Sequence, residues 1–219
     1  MPRLTEKAFE DHFCHQLEVG SYKQRDVADI TDKTLCLNFK ELEEFLSETQ
    51  PDELQILKKD LGQAWKDTIT QAYREALESK KPFEILRGGL PVYTQHLRLV
   101  YFKPQTSFNT DEEARFQHNR FSYVRQYFFE GQESIDVVLF LNGFAIVTLE
   151  LKNQPTGQYA DDAVKQYLLR NLDLPIFNIP FLHIACDNER VKVGTAFTHR
   201  SEDDFRDFNT GLVNQQPEN

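Results

Sequence analysis

The sequence predicts an α/β fold: a central mixed β-sheet flanked by helices, with a helical N-terminal region ahead of it. Three observations carry this. Residues 134–158, SIDVVLFLNGFAIVTLELKNQPTGQ, hold two apolar, β-branched-rich runs joined by Asn142-Gly143, a strong short hairpin signal. Apolar residues recur at helical spacing through the first third of the chain and again over 161–172. Residues 181–186 and 191–197 then read as a second strand–turn–strand around Asp187-Asn188-Glu189, extending the same sheet.

Taken in order, residues 6–17 place Phe9, Phe13 and Leu17 four apart, an amphipathic helix with Thr5 as its cap. Glu10 lies beside that stripe and reads as a solvated helix-face carboxylate; His12 and His15 read as surface residues. Residues 20–29 read as a loop, and a mixed apolar and acidic helix spans 35–46, ending near Ser47. Thr49-Gln50-Pro51-Asp52 stops that helix and starts the next with Pro51 in its first turn, and helices continue over 52–79. The charges at Glu41, Glu43, Glu44, Lys58, Lys59 and Asp60 read as solvated faces, and Trp65 as core. Gly88-Gly89 marks a turn, 92–102 a strand broken by Lys103-Pro104, and 108–113 a loop entering a short segment. Around Arg120 and Arg125 aromatic and basic residues mingle. They read as core aromatics with Arg stems paired to local acids, with phosphate contact the competing reading. Residues 153–157 form a loop, and after Thr198 the acidic, polar text SEDDFRDFNTGLVNQQPEN reads as a linker or frayed end.

The hairpin carries an anomaly. Asp136, Glu150 and Lys152 lie in or beside strands otherwise fit for a core, where an unpaired charge is costly. Alternation puts Glu150 and Lys152 on one face and Leu151 on the other. A strict two-residue Asn-Gly loop would set Asp136 opposite Leu149; one extra residue sets it opposite Glu150. A three-residue loop with Gly143 left-handed and a bulge is expected to supply that residue. Two converging carboxylates, joined by the Leu151 backbone carbonyl, make an oxygen-rich site suited to Mg²⁺ or Mn²⁺. Lys152 then stabilises charge developing on a phosphodiester or positions the attacking water. A Glu–Lys pair at the surface end of a strand is the competing reading.

Asp136 followed by Glu150-Leu151-Lys152 resembles the core of the PD-(D/E)xK nucleases, with Ile135 where the name has Pro. With TEKAFEDHFCHQL, FLSETQP, ILRGGL, YFKP and NRFSYVRQ in the same order, most of the chain resembles the N-terminal endonuclease domain of type I restriction enzyme R (restriction) subunits. The resemblance implies a restriction-endonuclease-like core and Mg²⁺-dependent cleavage of double-stranded DNA, with Mn²⁺ as substitute. It implies Asp136, Glu150 and the Leu151 carbonyl as metal ligands, Glu10 on the first helix as a further candidate, and Lys152 as the catalytic ammonium. It also makes Gln166 the orienting glutamine of a Q-x-x-x-Y motif. Here the chain departs, with Arg170 where that motif has Tyr. Both side chains share a helix face, from which they could reach a phosphate or help orient Lys152, with an ordinary solvated helix face as the competing reading. ATP enters only through motor domains further along a longer chain, and the implied partners are modification (methyltransferase) and specificity subunits.

Composition bounds the reading. With 219 residues, 40% hydrophobic and 27% charged, the chain can bury a real core. The expected organisation is an endonuclease domain over 1–200, helical to about 85 and nuclease core from about 86, then a linker over 201–219 toward a motor. No apolar run reaches bilayer length and the first residues are not a secretory signal, so a cytoplasmic protein without membrane contact is expected. Three cysteines without C-x-x-C spacing suggest neither zinc nor a disulfide framework, and read as packing residues. No G-x-x-x-x-G-K-[S/T] and no G-x-S-x-G is present, which argues against an ATP site here and against serine hydrolase chemistry. A net charge of −10 implies a weak grip on DNA by this chain alone. Two other readings stay open: a catalytically inactive assembly module with the nuclease fold, and a stand-alone repair or resolvase-like nuclease.

Overall fold

The structure, a computed structural model, describes residues 5–105 and 109–208. Its strands in chain order are β1 (Lys23–Arg25), β2 (Leu90–Val92), β3 (Gln95–Leu97), β4 (Phe121–Glu130), β5 (Glu133–Leu141), β6 (Phe144–Leu151), β7 (Leu182–Cys186), β8 (Val191–Gly194) and β9 (Phe205–Asp207). Among the described residues β2 and β3 pair only with each other, and the other seven form one sheet in the order β1-β4-β5-β6-β7-β8-β9. β1 is parallel to β4 and β7 to β6; the remaining neighbours are antiparallel. The expected mixed sheet is therefore present, with the β5–β6 hairpin at its centre.

The helices are α1 (Glu6–Val19), α2 (Phe39–Thr49), α3 (Pro51–Leu61), α4 (Trp65–Leu77), α5 (Pro82–Gly88), α6 (Thr110–Gln117) and α7 (Ala160–Leu168). Thr5 caps α1 as expected, its hydroxyl accepting the Ala8 N–H at 3.2 Å. The helix expected from residue 35 starts four residues later, because the Asn38 side chain accepts the Glu41 N–H at 3.1 Å and fixes the N-terminus there. Pro51 opens α3 without a backbone donor to lose. Trp65, Ile69 and Tyr73 bury one stripe of α4, and Trp65 meets Phe39 edge-on at 5.7 Å. No helix among the described residues is long and apolar enough to cross a membrane.

Two apolar clusters cover the two faces of the sheet. One packs Leu42, Phe45, Leu57 and Tyr73 of the N-terminal helices on Val137, Leu139, Phe144 and Leu149. The other packs Val164 and Tyr167 of α7, with Phe177, on Val138, Phe140 and Ala145. Each large apolar side chain fully buried this way contributes roughly 1.5–3 kcal/mol. The hairpin turn is itself buried. The Asn142 side-chain amide donates to the Leu99 carbonyl at 2.9 Å and to Asn119 Oδ1 at 3.0 Å, and its carbonyl accepts the Arg120 N–H at 2.7 Å.

Several expectations need correction. The loop over 20–29 contains β1, which docks beside β4 across 99 residues of sequence, a pairing no local pattern reveals. The strand expected over 92–102 is instead the small β2–β3 hairpin followed by irregular chain, held by Gln50, whose side chain bonds both the N–H and the C=O of Arg98. Residues around Arg120 and Arg125 form β4, ten residues long and hidden by its broken burial alternation. The helix expected over 161–172 ends at Leu168, and the strand expected to 197 ends at Gly194. Residues 202–207, in the stretch read as linker, form a short 3-10 turn and β9, with Phe205 buried. Phe108 and the residues after 208 lie outside the described residues.

Candidate functional site

β5 and β6 stay paired from Leu141 opposite Phe144 to Val137 opposite Leu149. Beyond that point they part. β5 continues against β4 alone, with Ile135 opposite Tyr127, and β6 against β7 alone, with Glu150 opposite Ala185. Asp136 sits at the fork, opposite Glu150 by continuation of the register, as the sequence led us to expect. The route to that register differs from the expected three-residue loop. Asn142 (φ 52°) and Gly143 (φ 88°) are both left-handed and make a two-residue turn whose twist matches the strands. The extra residue is Ile146, a bulge inside β6 between the Leu139–Val147 and Phe140–Ala145 pairs.

The alternation of β5 breaks at the fork, because Ile135 and Val137, two residues apart, join opposite clusters. Across from Asp136 on β4, between the Arg125–Val137 and Tyr127–Ile135 pairs, lies Gln126, a non-glycine residue held at φ 48°. Such backbone strain persists where the surroundings over-determine it. Gln126 donates through Nε2 to Glu10 Oε2 at 3.0 Å and to Asp136 Oδ1 at 3.3 Å, and its carbonyl accepts the Ser134 hydroxyl at 2.9 Å. The other Asp136 oxygen, Oδ2, accepts the Leu151 N–H at 2.8 Å. Leu151 thus enters this contact through its amide.

Glu150 is 0% exposed. Its Oε1 accepts from Nη1 of Arg170, while Arg170 Nη2 donates to the Ser134 carbonyl at 2.6 Å. The Arg170 guanidinium also lies over the rings of Phe129 at 5.4 Å and Tyr167 at 5.9 Å. Glu150 Oε2 is buried without a hydrogen-bond partner among the described residues. Burial and then the charge of Asp136 push the Glu150 carboxyl up to about 8, opposed by Arg170 and Lys152.

Lys152 lies just past the end of β6 and donates through Nζ to Glu6 Oε1 at 3.0 Å. It faces a cleft of about 730 Å³ that Glu6, Glu10, Arg125, Gln126, Asp136 and Gln166 also line. Glu10 is not the solvated carboxylate its helix position suggested. It is buried, accepting from Arg125 Nε at 2.7 Å as well as from Gln126. Arg120 and Arg125 are paired with acids, but with distant ones: Arg120 with Glu44 (2.9 Å) and Glu48 (2.7 Å), Arg125 with Glu10 and Asp11. Gln166 lines the cleft beside Lys152, whereas Arg170 turns to Glu150 instead of to Lys152 or a phosphate.

The structure therefore brings Asp136, Lys152, Glu10 and Gln166 to one cleft, with Glu150 buried beside Asp136. Among the described residues no group of three or more His, Cys, Asp and Glu side chains is arranged to hold a metal ion. The donor chemistry is nevertheless that of a hard divalent cation, carboxylates without thiolate or imidazole, and the unpartnered Glu150 oxygen is the feature that a cation would satisfy. Sequence reasoning missed Gln126 altogether, since a glutamine in an aromatic strand carries no motif. It also left Arg170 without its partner, although an arginine in the place of the motif tyrosine was a visible signal.

No curated protein matches the chain. The family model described as type I restriction enzyme R protein N terminus (HSDR_N) matches residues 4–201. That span takes in the fork, the Glu150–Arg170 pair, Lys152 and the whole cleft, and covers most of the sequence, so the chain belongs to the type I restriction enzyme R protein N-terminal family.

Proposed function

We propose that this chain is a magnesium-dependent endonuclease domain that hydrolyses phosphodiester bonds of double-stranded DNA, in the cytoplasm, as part of an ATP-driven type I restriction-modification complex. The observation that carries the reading is the Glu150 oxygen buried without a partner, next to Asp136 at the fork and with Lys152 at the rim, in a member of this family. Asp136 and Glu150 would hold Mg²⁺, with the Leu151 carbonyl and Glu10 as further candidate ligands. The bound ion supplies Lewis-acid polarisation of the phosphate and a more acidic water.

The remaining work falls to this chain's own side chains. Lys152 places an ammonium where negative charge develops on the phosphate, and while no substrate is bound that ammonium is paired with Glu6. Gln166, on the same cleft wall, orients the water or a phosphate oxygen. Gln126 holds Glu10 and Asp136 together through one amide. A net charge of −10, with Arg120 and Arg125 already paired to acids, opposes a strong grip on a duplex by this chain alone. Duplex grip, ATP use and sequence choice are assigned in this reading to motor domains further along a longer chain and to modification and specificity subunits.

The test is calorimetric titration of Mn²⁺ into the unmodified chain, Glu150→Ala and Asp136→Ala near neutral pH. Binding that both substitutions abolish supports the reading; no binding, or equal binding in the variants, removes it. One observation favours a second reading, an assembly module with the nuclease fold and no activity: Arg170 already neutralises Glu150. The same titration separates the two.

A further inference from the structure

Nothing in the proposed chemistry uses Arg170, yet it is the most thoroughly held cation near the site. Its side chain is 7% exposed. The guanidinium meets the Glu150 carboxylate, the Ser134 carbonyl and the faces of Phe129 and Tyr167. Ser134 belongs to β5 and Glu150 to β6, so Arg170 spans the two strands where they part. Arg170 serves the two acceptors through separate nitrogens of one planar fork, Nη1 and Nη2, a fixed geometry that a single ammonium does not reproduce.

We propose that Arg170 is a positioning residue that fixes the Glu150 carboxylate, engaging Oε1 and leaving Oε2 as the oxygen offered to a divalent cation. The inference rests on the metal-site reading above and adds to it which residue prepares the ligand. A glutamate side chain free to change rotamer would have to be ordered when the cation bound, at a cost in affinity. Arg170 imposes that order beforehand, through a fork-spanning contact anchored on two aromatic rings.

The experiment compares the unmodified chain with Arg170→Lys and Arg170→Met by Mn²⁺ calorimetry. In parallel, the Glu150 carboxyl ¹³C resonance is followed in metal-free protein, assigned by its loss in Glu150→Gln. Arg170→Met is expected to weaken Mn²⁺ binding between about 10- and 100-fold, as loss of an outer-shell partner does, and to move the resonance. Arg170→Lys is expected to restore part of both. Mn²⁺ binding in Arg170→Met as tight as in the parent or tighter overturns the proposal, and so does an unmoved resonance. Should Arg170→Met fail to fold, Arg170→Lys decides: weaker binding than the parent supports the role and equal binding overturns it. Should the unmodified chain bind no Mn²⁺, the metal-site reading fails and the resonance alone decides whether Arg170 positions Glu150.

Discussion

The backbone amide of Leu151 donates to Oδ2 of Asp136 at 2.8 Å, bridging two strands whose ladder has already ended. A side chain here takes over the work of a ladder bond, so Asp136 has a structural duty as well as a proposed chemical one. Asp136→Ala leaves that amide without its acceptor and is expected to cost about 1–3 kcal/mol in urea unfolding. Asp136→Asn keeps an acceptor oxygen and is expected to cost less than Asp136→Ala. Equal destabilisation by the two would show that the bond does not hold the fork.

Two left-handed glycines provide a matched pair. A Cβ on Gly143 (φ 88°) would meet the Asn38 carbonyl oxygen and the Leu42 N, whereas one on Gly157 (φ 81°) would meet nothing within 4 Å. Gly157→Ala is expected to cost only the left-handed penalty, about 1–2 kcal/mol. Gly143→Ala adds a clash with backbone at the N-terminus of α2 and is expected to destabilise by clearly more in the same unfolding measurement. Equal losses would mean that α2 yields freely.

His183 gives the pH dependence. It is buried on β7 beside Thr148, whose hydroxyl shares hydrogen bonds with His183 Nδ1 at 2.8 Å and Tyr167 OH at 2.9 Å. Burial pushes its imidazole down from 6.5 to about 4. The neutral form belongs to the native state, so the contribution is complete above the unfolded value and is lost as pH falls from 6.5 toward 4. From the two values, stability should drop by about 2 kcal/mol between neutral pH and pH 5 through this group. A His183→Gln variant that shows the same fall in urea midpoint over that range would assign it to other groups.

Glu6 holds Lys152 from a position 42% exposed to solvent. An ion pair open to water contributes little, so Glu6→Gln is expected to change stability by less than about 1 kcal/mol. It should release Lys152 for phosphate and tighten binding of a short duplex, most visibly at low salt. Fluorescence anisotropy checks this; weaker duplex binding in Glu6→Gln would mean that Glu6 holds Lys152 in its working position.

The sheet and its central hairpin were legible because the β5 and β6 runs satisfy turn chemistry and strand composition together, and Asp136, Glu150 and Lys152 announced themselves as charges in apolar text. The Asp136–Glu150 register was legible too, though not its cause, since a bulge at Ile146 inside an unbroken apolar run leaves no local mark. β1 was not readable: Lys23-Gln24-Arg25 lacks any strand composition and is a strand only because β4 offers an edge. The burial of Glu10 was hidden for a related reason. Helical spacing shows which face it lies on, but not that Arg125 and Gln126 arrive from a strand 115 and 116 residues away to meet it.

The two outermost strands of the sheet among the described residues are its shortest, three residues each, and both are charged: Lys23 and Arg25 on β1, Arg206 and Asp207 on β9. Exposed sheet margins invite pairing with other molecules, and brevity and charge are what discourage it. This architecture should resist aggregation through β-addition, so that crowding of many copies does not turn the seven-stranded sheet into a seed for its own extension.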